Sequence, residues 1–494
     1  MCQMKRALLA SAASIVSVSG ALAADLPVKA LAAQYMKICD VFGSGFYYIP
    51  GTDTCIKLGG LISARYGYNH TNYNTPQYSG TAGAQDRTVS PYASSARGNI
   101  QMDTRTLTPY GTLRAMTSMH FQNQAQNESF NTARAFIQWA GFTFGRAQAY
   151  TDGWYISGGW TNLSFRGSYQ TGPNGINLMA YSFALSNDTV LTVEALERNA
   201  KSLTNFSSAT ALKVGAEPAT SQAGEKWPDL GISVRHVGNW GYVQVGAIAH
   251  DVAATYYTGA CAGVQAGTTQ CGHPNDKVGW GVNFSTELRL PQFGPGDRAG
   301  FAIWYGQGFG AWSAGNNLAS PALFKSGNTV ASGFQADGYY VDGSQIQLTT
   351  GWNVQVGYEH FWSRILHQTF LFGYNRLTHD GVTKNWYLGA VCGVAGTGAA
   401  AQGTIAATLL TNSCNPDYSF WQVASRMQWD PVPGFSLQMT LGWTQVVSGF
   451  NGTATLSGLQ GARPTGVYNI GSQGNFSGTI VAQRLFNSGG AAIQ

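Results

Sequence analysis

Val278-Gly279-Trp280-Gly281-Val282-Asn283-Phe284-Ser285-Thr286-Glu287-Leu288-Arg289-Leu290 is two interleaved sequences. One set is Val278, Trp280, Val282, Phe284, Thr286, Leu288 and Leu290; the other is glycine, asparagine, serine, glutamate and arginine. Side chains alternate between the two faces of a strand, whereas helical spacing would mix the sets, so this is a strand with one apolar and one polar face. Phe435, Leu437, Met439, Leu441 and Trp443 alternate in the same way with Ser436, Gln438, Thr440, Gly442 and Thr444. So do Trp352, Val354, Val356 and Tyr358 with Asn353, Gln355, Gly357 and Glu359.

Working outward from these, alternating runs lie near 56–68, 98–107, 112–123, 131–140, 142–148, 176–186, 189–197 and 229–238. A second set lies near 241–251, 278–290, 298–307, 350–361, 365–377, 418–430, 435–447 and 476–486. Most approach the length of about nine to eleven residues that a tilted strand needs to cross a bilayer. Short turns fall at Thr108-Pro109-Tyr110-Gly111, Ala140-Gly141, Asn187-Asp188, Asn239-Trp240, 291–297, Ser363-Arg364 and 430–434. They alternate with connections at 69–97, 124–130, 149–175, 198–228, 252–277, 308–349, 378–417 and 448–475, most of them long. That parity predicts an all-β transmembrane antiparallel barrel of about sixteen strands, with turns in the periplasm and loops outside.

Composition agrees. Only 10% of the 494 residues are charged, aromatics make up 13%, and glycine numbers 63. A barrel can carry so little charge because its outside faces lipid. Lys5, Arg6, the uncharged stretch Ala7 to Gly20 and Ala21-Leu22-Ala23 read as an export signal, 1–23, too short to span a bilayer. Its removal lowers the formal charge from +5 to +3, too weak a balance to imply nucleic-acid binding. The remaining expectation is a periplasmic-side segment at 24–55, a barrel at 56–486 and an extension at 487–494.

Cys2 leaves with the signal, and six of the seven cysteines remain. They fall into the sequence-local pairs Cys39/Cys55, Cys261/Cys271 and Cys392/Cys414. Six cysteines allow 15 connectivities, so local pairing is a preference for short closures. An exported chain can keep such disulfides, and no C-x-x-C points to metal or redox use.

Several segments resemble the porins of rhizobial and related alphaproteobacteria. Ala24-Asp25-Leu26-Pro27-Val28-Lys29-Ala30 is similar to their mature start, and Cys39-Asp40 with Gly45 to Lys57 to their N-terminal signature. Asp103-Thr104-Arg105-Thr106, Tyr110 to Arg114 and Arg134 to Gln148 are further matches, and Gln483-Arg484-Leu485-Phe486 is similar to the ending. The resemblance implies a usually trimeric, sixteen-stranded passive diffusion channel whose third loop folds into the lumen. It also implies outer-membrane lipid, lipopolysaccharide and the barrel-assembly machinery as partners. Asn487 to Gln494 departs from the family's terminal phenylalanine.

The chain has no phosphate-binding glycine loop, no H-E-x-x-H and no G-x-S-x-G, so no enzyme, cofactor or metal is expected. His250, His360 and His367 read as interfacial or lumenal. Opposite the apolar sets stand Arg65, Arg105, Arg114, Arg134, Arg146, Arg235, Arg289 and Arg426, against Asp103, Glu287 and Glu359. Arg105, Arg114, Arg134 and Arg146, with Asp103 and the third loop's Asp152, are the expected constriction. Arg105 and Arg114 face each other across a turn, a like-charge pairing that costs stability. Trp154, Tyr155, Trp160, Phe165 and Tyr169 suggest an aromatic third loop. The expected function is an outer-membrane channel for ions and small hydrophilic solutes. The alternatives are a channel specific for a sugar, phosphate or organic anion, and an exported β-rich adhesin.

Overall fold

The computed structural model describes residues 37–71, 75–124, 127–153, 175–197, 202–207, 220–258, 269–310, 322–324, 327–392, 413–456 and 461–487. Its wall begins with β1 (Cys55–Tyr68), β2 (Tyr92–Thr108), β3 (Gly111–Gln124), β4 (Asn127–Trp139), β5 (Phe142–Ala147) and β6 (Ile176–Ala184). It continues with β7 (Thr189–Leu196), β8 (Asp229–Gly238), β9 (Gly241–Val252), β10 (Lys277–Arg289) and β11 (Arg298–Gln307). The last strands are β12 (Thr350–Phe361), β13 (Leu366–Thr378), β14 (Ser413–Val432), β15 (Phe435–Leu456) and β16 (Gln473–Phe486). Each pairs antiparallel with the next, and β1 closes on β16 from Gly60↔Phe486 to Tyr68↔Gly478. The result is a closed sixteen-stranded barrel.

Its packing is inverted relative to a soluble protein. Along β10, Trp280 and Phe284 are 40% and 37% exposed, whereas Asn283 and Ser285 on the other row are 4% and 0% exposed. The outward row meets lipid, and the inward row lines the lumen, where polar side chains find partners. The turn between β4 and β5 shows how tightly the wall reverses. Ala140 and Gly141 both take positive φ, 49° and 87°, as a two-residue hairpin turn matched to strand twist requires.

Several strands run past the sequence-predicted runs, notably β2, β14 and β15. The run on β2 starts near 98 because Ser94 and Ala96, on the outward row above it, carry no large apolar side chain. Alternation is visible in sequence only where one row faces lipid.

Two of the expected disulfides are present. Cys39–Cys55 ties the N-terminal segment to the start of β1, where Tyr47 and Tyr48 pair with Ile56 and Cys55. Cys392–Cys414 ties the end of helix α1 (Gly381–Ala390) to the start of β14. Cys271 is also disulfide-bonded, while Cys261 lies outside the described residues. A bridge closing a loop of this size constrains the unfolded chain by about 3 kcal/mol. Non-reducing peptide mapping is therefore expected to recover three local bridges, including Cys261 with Cys271; a free thiol or a crosslink between distant loops would contradict this. The signal segment, the third-loop aromatics and 488–494 also lie outside the described residues.

Candidate functional site

The third connection leaves β5 and turns into the barrel. Its first residues, Tyr150 to Gly153, lie on the inner faces of β7, β9 and β10. The Glu194 carboxylate on β7 accepts from Tyr150 N (2.8 Å), Thr151 N (2.8 Å) and Thr151 Oγ1 (2.7 Å). Gln244 on β9 donates to the Tyr150 and Asp152 carbonyls at 2.9 and 3.0 Å, and Asn283 on β10 donates to the Thr151 carbonyl at 3.1 Å. A Cβ at Gly153 would collide with Ser285, so only glycine lets the backbone approach the wall this closely. Residues 154–174 lie outside the described residues.

Glu194 was not among the residues singled out from sequence, although it shares the inward row of Thr192 and Leu196. Each buried donor left without its acceptor costs about 1–3 kcal/mol. Glu194→Ala is therefore expected to loosen the loop root, with altered conductance and more open-channel noise from a barrel that still folds. Unchanged single-channel traces would show that the loop is held elsewhere.

Below this root lies a cleft of about 400 Å³, lined by Arg114, Arg134 and Arg235 together with Asp152 and Gln244. Arg134 owes its inward aim to a β-bulge. Ser118 pairs with Arg134 but Met119 with Thr132, so Ala133 is the extra residue, and parity changes on either side of it. Arg235 stacks on Tyr242, its guanidinium carbon 4.2 Å from the ring centroid, and Arg114 lies 5.3 Å from Phe136. Such stacking orients the planar cations and leaves their charge intact.

Arg105 and Arg114 do stand opposite each other. The expected repulsion is relieved by Asp103, whose two oxygens accept from Arg105 (3.2 and 2.8 Å) and Arg114 (3.0 and 3.0 Å). Arg105 does not line the cleft: it lies 4.8 Å from the Phe46 ring, against the disulfide-closed N-terminal segment. Arg146 requires a correction. It pairs with Ala135 and Asn177, the outward row that also carries Phe144 and Met179, so it does not face the lumen. The inward residues of β5 are Thr143, Gly145 and Ala147.

Elsewhere on the inner wall the charges are mixed. Arg298, absent from the sequence-based set, bonds Glu359 at 2.8 Å and lies 3.6 Å from Glu287. His367 joins Glu359 (2.7 Å) to Asp430 (3.1 Å). His360 pairs with Asp297 and His250 with Asp229, so all three histidines flagged in the sequence sit in carboxylate networks.

A closed barrel with apolar rows outward, polar rows inward and an arginine-lined cleft beneath an inward-turning loop is an outer-membrane barrel of porin architecture. The chain belongs to the porin family: a family model described as a porin subfamily matches residues 25–461. It is 29% identical over 265 residues to Porin Omp2b of Brucella suis biovar 1 (strain 1330). It is 30% identical over 264 residues to Porin Omp2a of Brucella melitensis biotype 1. Each match covers 50% of this chain and 66% of the relative, just under two thirds of its length. The outer membrane channel DcaP of Acinetobacter baumannii shares the fold, with a TM-score of 0.55 and 14% identity over 89% of this chain and 99% of that one. The protein is accordingly a β-barrel of the Gram-negative outer membrane and not an enzyme.

Proposed function

We propose that the barrel is a water-filled channel through which ions and small hydrophilic solutes diffuse passively, with anions favoured at the constriction. The observation that carries this reading is the cleft itself: three arginines and one acid, Asp152, where the third loop enters the lumen. Selection follows from size and from fixed charge in a confined, partly desolvated passage. No cofactor or energy source enters the account. Of the six constriction residues expected from sequence, the cleft supports Arg114, Arg134 and Asp152, with Arg235 added. Asp103 and Arg105 brace Arg114 from the side.

The same reading includes a homotrimer. The outward row of β2 and β3 mixes the small residues Ser94, Ala96, Gly98, Ala115 and Thr117 with exposed Ile100, Met102, Leu113 and Phe121, an apolar face that a neighbouring subunit can cover. Lipopolysaccharide and the barrel-assembly machinery are the partners that such a barrel meets in its membrane. Swelling of protein-loaded liposomes in sugars of rising size tests the channel, with faster flux for smaller solutes as the expected result. Swelling that saturates at low concentration of one solute would favour the substrate-specific alternative. Crosslinking in intact outer membranes should give a three-subunit band.

A further inference from the structure

Among the described residues, part of the connection between β11 and β12 is the most heavily buried stretch outside the wall. Val330 to Val341 are all buried, with none of the alternation that marks the strands. A segment covered on every side is a core element. Here its cover comes from other exterior connections and from inward-facing side chains of β13, β14 and β15, among them Leu377, Tyr418, Phe420 and Val446.

Going along it, Ala322 N donates to Tyr78 O (3.0 Å), between β1 and β2. Thr329 and Val330 pair in parallel with Asn469 and Ile470, between β15 and β16. Phe334 stacks on Tyr387 of α1 at 5.8 Å. Residues 336–340 pair in parallel with 202–205, between β7 and β8. Ser344 O then accepts from Tyr257 Oη (2.8 Å), between β9 and β10. In a closed ring of sixteen strands, the β15/β16 and β7/β8 connections are eight strands apart, so residues 329–340 reach between opposite sides of the rim.

It is also pinned to the wall. Asp337 Oδ1 accepts from Gly310 N at 2.6 Å, and its Oδ2 lies 3.5 Å from His250 Nε2 on β9. The other ring nitrogen of His250 lies 2.7 Å from Asp229 on β8, and the ring stacks flat on Phe309 at 4.1 Å. Three buried titratable groups so joined have no part in the constriction. The α1 cover is itself fastened, Asp417 bonding His379 (3.1 Å) and Lys384 (2.6 Å), and the His379 ring lies 5.4 Å from that of Tyr339 in the segment. Burial there holds the His379 imidazole below its usual pKa.

We propose that residues 327–349 form a crossbar at the extracellular mouth, an entrance filter in series with the constriction that limits solute size from that side. The account rests on the channel reading and adds a side-dependence which that reading lacks. A symmetric funnel would admit a neutral polymer equally from either end. A barrel whose mouth is narrowed by a fastened crossbar, and whose other end carries short turns with the N-terminal segment set against Arg105 at one side, excludes smaller polymers from outside than from the periplasmic side.

The test is single-channel recording of the wild-type protein, inserted from one side, with polyethylene glycols of graded mass added to either chamber. The expected result is a lower exclusion mass on the extracellular side. Replacing 327–341 by a short Gly-Ser linker should erase the difference and leave the reversal potential unchanged. Equal exclusion masses from both sides in wild type would overturn the entrance filter while leaving the channel intact; absence of any conductance would instead refute the channel reading.

Discussion

Under a potassium chloride gradient at low ionic strength, the wild-type reversal potential is expected to report chloride as the more permeant ion. The charge around the cleft decides the sign: Arg114, Arg134 and Arg235 against Asp152. A unit charge at about 4 Å is worth about 1 kcal/mol even in bulk water, roughly fivefold in local ion concentration, and more where water is scarce. The triple variant Arg114→Gln/Arg134→Gln/Arg235→Gln should therefore lower the chloride-to-potassium permeability ratio by roughly fivefold or more. At 1 M salt, where screening shortens to about 3 Å, the difference should shrink. The carboxylates that oppose this preference, Glu287 and Glu359, are already paired with Arg298, and Glu287 stands opposite Tyr242, the ring on which Arg235 stacks. A cation preference in wild type, or no shift in the triple variant, would remove the cleft from the selectivity account.

Leu441→Arg is expected to cost about 2–4 kcal/mol of barrel stability, the cost of a cation on the lipid face near mid-membrane. Leu441 is exposed on the outward row of β15, well above the 433–434 turn, whereas Leu437 on the same row lies close to that turn. Gln438→Arg, on the inward row, should cost less than Leu441→Arg, because the side chain there meets the polar Ser436 and Gln428 and not lipid tails, which leave a cation without partners. Urea titration of vesicle-folded protein, followed by heat-modifiable gel mobility, separates the two. Equal damage at both positions would show that the assigned faces are wrong.

These faces were legible in the sequence for a specific reason. Lipid demands an apolar outward row, water permits a polar inward one, and a strand separates the two with period two. All sixteen strands can therefore be found, as can the closure they imply. What failed did so where that demand lapses. Ala133 shifts parity by one residue on β4, and Arg146 follows Phe142 and Phe144 on the outward row of β5, which its charge obscured. Glu194 looked like any inward polar residue because its partners lie more than 40 residues away in the third loop. The crossbar was invisible for a different reason. It is covered by other loops and by inward-facing side chains of the wall, so Val330 to Val341 show no alternation to read.

The central claim, an open aqueous path through this barrel, is tested most directly by single-channel recording of purified protein in a planar bilayer. The account predicts discrete, ohmic conductance steps that persist without any energy source and are partly closed by small neutral polymers. Protein that shows barrel mobility on gels yet inserts without conductance steps would contradict it.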